Sequence, residues 1–153
     1  MKTLVINLKD RSDRLTLFNR DNPNLKHEVI PATDGTKIDY DKLLEQGFDV
    51  AHDWIDPILN TPLTKGEVGC FLSHWKIWEK CIEKDEKVLV LEDDARITDN
   101  FNLSEIDALT EIYDFLYLGW KEMAEKSLPI NDKLVTPVYP YWGLAYVITP
   151  TAA

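Results

Sequence analysis

The sequence predicts an α/β layered domain with a mainly parallel sheet, on three observations. Short β-branched or apolar runs alternate with segments of helical period, and that alternation places helices over a parallel sheet. One run, Val88 to Leu91, is apolar without alternation, as in a central strand covered on both faces. The chain has 153 residues, 44% hydrophobic and 10% aromatic, enough for one proper core. No internal repeat, low-complexity tract or linker interrupts it, so residues 1–153 are expected to form a single domain.

The elements follow in order. Thr3–Leu8 (TLVINL) is a short β-branched run and reads as a strand. Residues 10–20 (DRSDRLTLFNR) set Leu15 and Phe18 at helical spacing behind early acids, which predicts a helix capped by Asp10 or Ser12. HEVIPATDG is a strand running into an Asp34-Gly35 turn. DYDKLLEQGF is a brief helix stopped by Gly47. Residues 51–62, rich in Asp and Pro, read as a loop. Thr64 and Glu67 then match a capping box. Behind them Val68, Phe71, Leu72, Trp75, Trp78 and Ile82 follow a helical stripe, the strongest in the chain. KVLVLE is a strand, SEIDALTEI a helix, and DFLYLGW and LAYVIT are strands.

Charge and cysteine narrow the function. A formal net charge of -10 argues against nucleic acid and against an anionic membrane surface, both of which need a cationic face. An anionic small ligand remains compatible if a metal cation lies between it and the protein. No apolar run is long enough to cross a bilayer, and MKTLVINLKDRSDR has too few apolar residues for a secretory signal. Cys70 and Cys81 fall in one predicted helix, roughly 16 Å apart, too far for a disulfide. The chain therefore reads as cytoplasmic.

Three constellations could carry chemistry. Glu92, Asp93 and Asp94 end the run KVLVLEDDARI, where ligands bind on α/β sheets. If the strand continues through them, Glu92 and Asp94 point to one side and Asp93 to the other. Such a pair could hold Mg2+ or Mn2+ against a pyrophosphate; a solvated turn, with Asp93 or Asp94 as a cap, accounts for the same residues. In INLKDRSDR, Lys9, Arg11 and Arg14 crowd the end of the first strand. There a helix N-terminus and guanidinium groups suit phosphate, and a surface helix with Asp/Arg pairs is the bland alternative. In GCFLSHWKIW, Ser73 and His74 are adjacent and project in different directions, so they cannot act as nucleophile and base together. A Cys70-His74 pair at i, i+4 could bind metal, but two ligands make no site.

INLKDRSDR, PATDG, LTKGEVGCFLSHWKIWEKC, VLVLEDDARI, FLYLG and WGLAYVIT, in this order, resemble the family 25 glycosyltransferases, from Leu4 to about Pro150. That family includes galactosyltransferases of bacterial lipooligosaccharide synthesis and of collagen hydroxylysine. The resemblance implies a GT-A fold, Rossmann-like, with a nucleotide-sugar donor, commonly UDP-galactose or UDP-glucose. It also implies a glycan or glycoconjugate acceptor and transfer with inversion. The DxD-like element maps onto Glu92, Asp93 and Asp94, with Asp94 the favoured ligand for Mn2+ or Mg2+. The family's opening Asn and Arg positions fall on Asn7, Arg11 and Arg14, its Asp-Gly on Asp34 and Gly35, and its Ser-His on Ser73 and His74. A carboxylate should take the acceptor proton, with Asp114, Glu122 and residues beyond the end of this sequence as equal candidates.

Such domains usually continue past this last strand into a helix and a further acidic motif, whereas this chain stops at VITPTAA. That predicts donor binding better than turnover, and an apolar patch near Leu144–Ile148, either exposed or covered by a second copy as a homodimer. Two rivals stand beside the enzyme. VLVLEDDA also resembles the first strand of receiver-like phosphorylation domains, but those carry the acids near their start. A non-catalytic sugar-nucleotide or glycan-binding module, truncated relative to the enzymes, is the other.

Overall fold

The computed structural model describes residues 1–122, 127–137 and 140–153. The chain runs β1 (Lys2–Asn7), α1 (Ser12–Asp21), β2 (Glu28–Pro31), a 3-10 turn (Gly35–Lys37), α2 (Tyr40–Glu45), α3 (Lys65–Lys84), β3 (Val88–Glu92), α4 (Leu103–Leu109) and β4 (Phe115–Glu122). A small pair, β5 (Leu128–Pro129) and β6 (Val135–Thr136), precedes β7 (Pro140–Ile148). Five strands form one sheet in the order β2-β1-β3-β7-β4. β1 is parallel to both β2 and β3, and β7 is antiparallel to both β3 and β4, so four of the five strands point the same way. The expected α/β layering is present, with one strand reversed.

The non-alternating run is explained by the layers. Val88 and Val90 pack with Leu4, Ile6, Ile77, Cys81 and Tyr146 under α3. Leu89 and Leu91 pack with Val5, Phe18, Ile106 and Val147 under α1 and α4. Both faces of β3 are buried, and each such leucine contributes on the order of 2 kcal/mol of transfer free energy. β7 shares that environment: Ala145, Tyr146, Val147 and Ile148 are all buried between β3 and β4. The predicted apolar patch at Leu144–Ile148 is therefore overturned. Strand periodicity reports burial but not which strands flank it, and here two neighbours and two helical layers supply the cover.

Most local signals hold. Thr64 and Glu67 form the capping box, each side chain satisfying the other's backbone N–H. Asp39 caps α2, and Gly47 ends it with φ of 91°, a left-handed geometry that favours glycine. α1 starts differently from expectation: Arg11 occupies its cap position without a side-chain cap, and neither Asp10 nor Ser12 serves. On α3 the buried face runs through Val68, Gly69, Leu72, Ser73, Ile77 and Cys81, while Phe71 and Ile82 are exposed. The aromatic residues instead form a lateral cluster in which Trp75 meets Phe48, Phe71 and Trp78. Cys70 and Cys81 are both free thiols. Among the described residues, no helix is long and apolar enough to cross a membrane.

Candidate functional site

The carboxyl ends of β1, β2 and β3 open onto one cleft of about 320 Å3. Four segments supply its walls: Arg11 and Arg14 after β1, Thr33, Asp34 and Gly35 after β2, Cys70, Ser73 and His74 from α3, and Glu92 and Asp93 after β3. A larger hollow of about 560 Å3 lies by β4 and the β5-β6 pair, lined mainly by apolar and aromatic side chains such as Phe115, Tyr117 and Ile130. Among its described lining residues there is no carboxylate, imidazole or thiol, whereas the smaller cleft gathers all three types.

The loop after β2 and α3 are locked together by backbone contact. A Cβ on Gly35 would lie 2.2 Å from the Lys65 carbonyl oxygen, and one on Gly69 would lie 2.8 Å from both Gly35 N and Thr33 O. Only glycine fits at either position. Buried Ser73 closes the joint: its hydroxyl donates to Gly69 O at 2.6 Å and accepts from Thr33 N at 2.8 Å. Both hydroxyl functions of Ser73 are thus engaged in positioning the loop. Asp34 caps the 3-10 turn by accepting from Thr36 N and Oγ1. Hydrogen bonds from Lys37 and Thr36 hold its carboxyl pKa down at about 2.

β3 ends at Glu92, and Asp93 and Asp94 sit in a turn closed by the Ala95 N–H on Glu92 O at 3.0 Å. The strand does not continue through the acids, and the three carboxylates go to different neighbours. Asp93, with a side chain only 10% exposed, accepts from Asn7 Nδ2 at 2.7 Å and from Arg14 Nε at 2.7 Å, one bond on each oxygen. Buried Asn7 also donates to Arg11 O, which fixes the loop after β1. Arg14 reaches on to Asp94 Oδ2 at 2.8 Å, and the Asp94 side chain is 57% exposed. Arg11 points to the cleft's rim and pairs with Asp13.

Glu92 turns toward α3. Its Oε1 lies 3.5 Å from His74 Nε2 and 3.9 Å from Cys70 Sγ. Behind it, Trp78 Nε1 donates to the Tyr146 hydroxyl at 2.9 Å, and that hydroxyl contacts His74 Nδ1 at 2.8 Å. The phenol can serve Nδ1 as donor or as acceptor, so Tyr146 holds the ring in place in either tautomer. Burial pushes the Tyr146 phenol well above its ordinary value, so it stays protonated. Cys70 is exposed as a residue, but crowding around its sulfur and then the charge of Glu92 push the thiol up to about 11.

Asp114 does not join this site. Its neighbour Phe115 is level with Ile148 and hence with Val88, the first residue of β3. Asp114, one residue earlier, thus lies at the opposite end of the strands from Glu92, about 17 Å away along the strand direction at 3.3 Å per residue. There it accepts from Thr149 Oγ1 at 2.7 Å and from Thr149 N at 3.0 Å. The sequence could not reveal this, because it does not give strand direction. Glu122 ends β4 at the carboxyl-end edge, paired with Pro140. Sequence reasoning missed Tyr146 and Trp78, which hold His74, and missed Glu92 as the partner of the Cys70-His74 pair. The i, i+4 spacing was the visible half of that signal.

An α/β sheet with a polar cleft at its carboxyl edge, ringed by guanidinium, carboxylate and imidazole groups, defines a class of small-ligand-binding domains that includes the nucleotide-sugar enzymes. The sequence profile of "Glycosyltransferase family 25 (LPS biosynthesis protein)" matches residues 1–139. Similar curated proteins include the "Glycosyltransferase 25 family member" of Drosophila melanogaster, 37% identical over 97% of this chain and 26% of the relative. "Procollagen galactosyltransferase 2" of Homo sapiens is 35% identical over 95% of this chain and 25% of its own length. The "Probable inactive glycosyltransferase 25 family member 3" of Rattus norvegicus is 41% identical over 82% of this chain and 24% of its own. The chain belongs to glycosyltransferase family 25. It spans about a quarter of the length of these curated relatives.

Proposed function

We propose that this chain is a donor-binding domain of a hexosyltransferase, taking a UDP-sugar such as UDP-galactose or UDP-glucose and passing the hexose, with inversion, to a hydroxyl of a glycan or glycoconjugate. The observation that carries the reading is the convergence of the family's motif residues from four segments on one cleft at the carboxyl ends of β1 to β3. The name of the human relative supports galactose as the transferred sugar.

The donor set was tested against a hard divalent cation. Glu92 and Asp94 keep carboxylate oxygens outside the hydrogen bonds described above, and carboxylate oxygen is the donor Mn2+ and Mg2+ prefer. Asp93 fits less well, since Asn7 and Arg14 take one oxygen each. Glu92 and Asp94 would therefore hold the ion, and Asp93 would hold the turn that carries them. When bound, the cation supplies Lewis-acid stabilisation of the departing diphosphate. Arg11, at the exposed rim, is placed for a phosphate oxygen. Arg14 is committed first to Asp93 and Asp94 and shapes their orientation. Ser73 fixes the loop and His74 orients Glu92, and neither serves as a nucleophile. The general base is assigned away from Asp114, and Glu122 keeps a backbone position compatible with it. Two free thiols support a reducing compartment such as the cytoplasm.

A second reading, a non-catalytic sugar-nucleotide module, draws on the name of the rat relative. Calorimetric titration of UDP with Mn2+, and again with EDTA, for wild type and Asp94→Asn tests binding. A UDP-sugar turnover assay with and without a glycan acceptor separates the two readings. Mn2+-dependent UDP binding lost in Asp94→Asn is expected. Equal UDP affinity under all four conditions sinks the metal assignment.

A further inference from the structure

Among the described residues, one group of metal-ligating side chains draws on two elements and three ligand types: Cys70 and His74 from α3 and Glu92 from the end of β3. Their ligand atoms all lie within 4.8 Å of one another. We propose that Cys70, His74 and Glu92 form a binding site for a borderline divalent cation, Zn2+ by preference, which shares Glu92 with the all-oxygen Mn2+ site discussed above but differs from it in sulfur and nitrogen ligands. The inference goes beyond the glycosyltransferase reading and does not depend on it.

Geometry comes first. In a tetrahedral zinc site, bond lengths near 2.3 Å to sulfur and near 2.1 Å to nitrogen and oxygen put neighbouring ligand atoms about 3.4–3.7 Å apart. Glu92 Oε1 stands 3.5 Å from His74 Nε2 and 3.9 Å from Cys70 Sγ, so these two pairs need contractions of a few tenths of an ångström at most, and the Cys70–His74 pair, within 4.8 Å, closes by rotation of the exposed Cys70 side chain. Both contacts are long for hydrogen bonds between such partners. They are loosely made beside the short bonds on Asp93, where Asn7 Nδ2 donates at 2.7 Å.

Ligand chemistry comes second. Thiolate and imidazole select Zn2+ or Co2+ over Mn2+ and Mg2+, which favour oxygen. Metal-binding histidines are usually held through their other nitrogen by an outer partner, and His74 has one: Tyr146, itself held by Trp78. On binding, the thiol proton of Cys70 passes to solvent. Nε2 of His74 becomes the ligand, Nδ1 takes the ring proton, and the Tyr146 oxygen accepts from it as it already does from Trp78. Three protein ligands then leave a fourth position on the side of the cleft, which all three residues line.

The test uses the whole chain with Co2+ as the optical probe and Zn2+ as competitor. One equivalent of Co2+ should give a thiolate-to-cobalt charge-transfer band in the near ultraviolet. The band should be bleached by Zn2+ at a concentration far below any at which Mn2+ affects it, absent in Cys70→Ser and kept in Cys81→Ala. A readout needing no variant runs beside it: Zn2+ should slow alkylation of Cys70, followed by mass spectrometry, about tenfold at free zinc about ten times the dissociation constant. Glu92→Gln should weaken both signals. A band that survives in Cys70→Ser, or Cys70 alkylation indifferent to Zn2+, overturns the proposal.

Discussion

Glu92 and Asp93 are neighbours in sequence and belong to two different kinds of polar cluster. On one side, Asp93, Asn7 and Arg14 make short, complete bonds around a carboxylate that is almost out of solvent. On the other, Glu92, His74 and Cys70 approach at 3.5 and 3.9 Å without saturating one another. The first cluster behaves as fold: it joins the ends of β1 and β3 through side chains 79 and 86 residues apart. The second leaves ligand atoms unsaturated, as the proposed cation site requires. The contrast teaches that adjacent acids at a strand end need not share a task, and that satisfaction of oxygens, not proximity in sequence, separates structure from binding.

The widest difference between the two clusters should appear on breaking them. Asp93→Ala leaves Asn7 buried and Arg14 without its principal partner. Losing one member of a buried ion pair costs about 3–5 kcal/mol, and the partial exposure of Arg14 reduces this to about 2–4 kcal/mol. Glu92→Gln should stay within about 0.5 kcal/mol, as for substitutions that break no completed network. Urea melts of both variants measure this, and equal losses would erase the distinction.

A smaller effect probes the floor both clusters stand on. Gly69→Ala puts a methyl 2.8 Å from Gly35 N and Thr33 O, so backbone must move. Overpacking of this kind costs about 1–3 kcal/mol. The same variant should weaken UDP binding, because Asp34 and Ser73 shift with the loop. A wild-type urea midpoint would show that the joint is looser than the glycines indicate.

The smallest effect is electrostatic and sharpens the comparison at an exposed carboxylate. Asp34 has its pKa lowered to about 2 by Lys37 and Thr36. A depressed folded-state value stabilises the fold above the ordinary carboxylate range and loses that contribution as pH falls toward 2. Asp34→Asn should therefore be less stable than wild type at pH 6, with the gap narrowing between about pH 4 and pH 2. Denaturant midpoints at pH 6, 4.5 and 3 follow it. A gap that widens on acidification would contradict the sign.

Much of the scaffold was legible because local signals and packing agreed. The Thr64/Glu67 box, the stop at Gly47 and the unalternating Val88–Leu91 run each have one physical cause that operates within a few residues. What escaped depends on neighbours far along the chain. Ile77 and Cys81 take the core positions that the aromatic stripe suggested for Phe71 and Ile82, because the sheet, not the helix, decides which face is covered. Asp114 looked catalytic until the direction of β4 placed it at the other end of the strands. Glu92 looked like one of three equivalent acids until the turn after it gave Asp93 and Asp94 to Arg14 and left Glu92 against α3.

The position of β7 also sets a timetable for the nascent chain. β1, β2 and β3 can zip together once residue 92 has been made, since their pairings involve nothing later. β4 is made next, yet among the described strands it pairs only with β7. Until residues 140–148 emerge, Leu116 lacks its strand partner Val147, and the free edge of β3 is an open template. Among the described strands it is β7 that joins β3 to β4, so between synthesis of residues 92 and 148 the edge of β3 stays open to wrong partners and the sheet depends on a contact of long sequence separation.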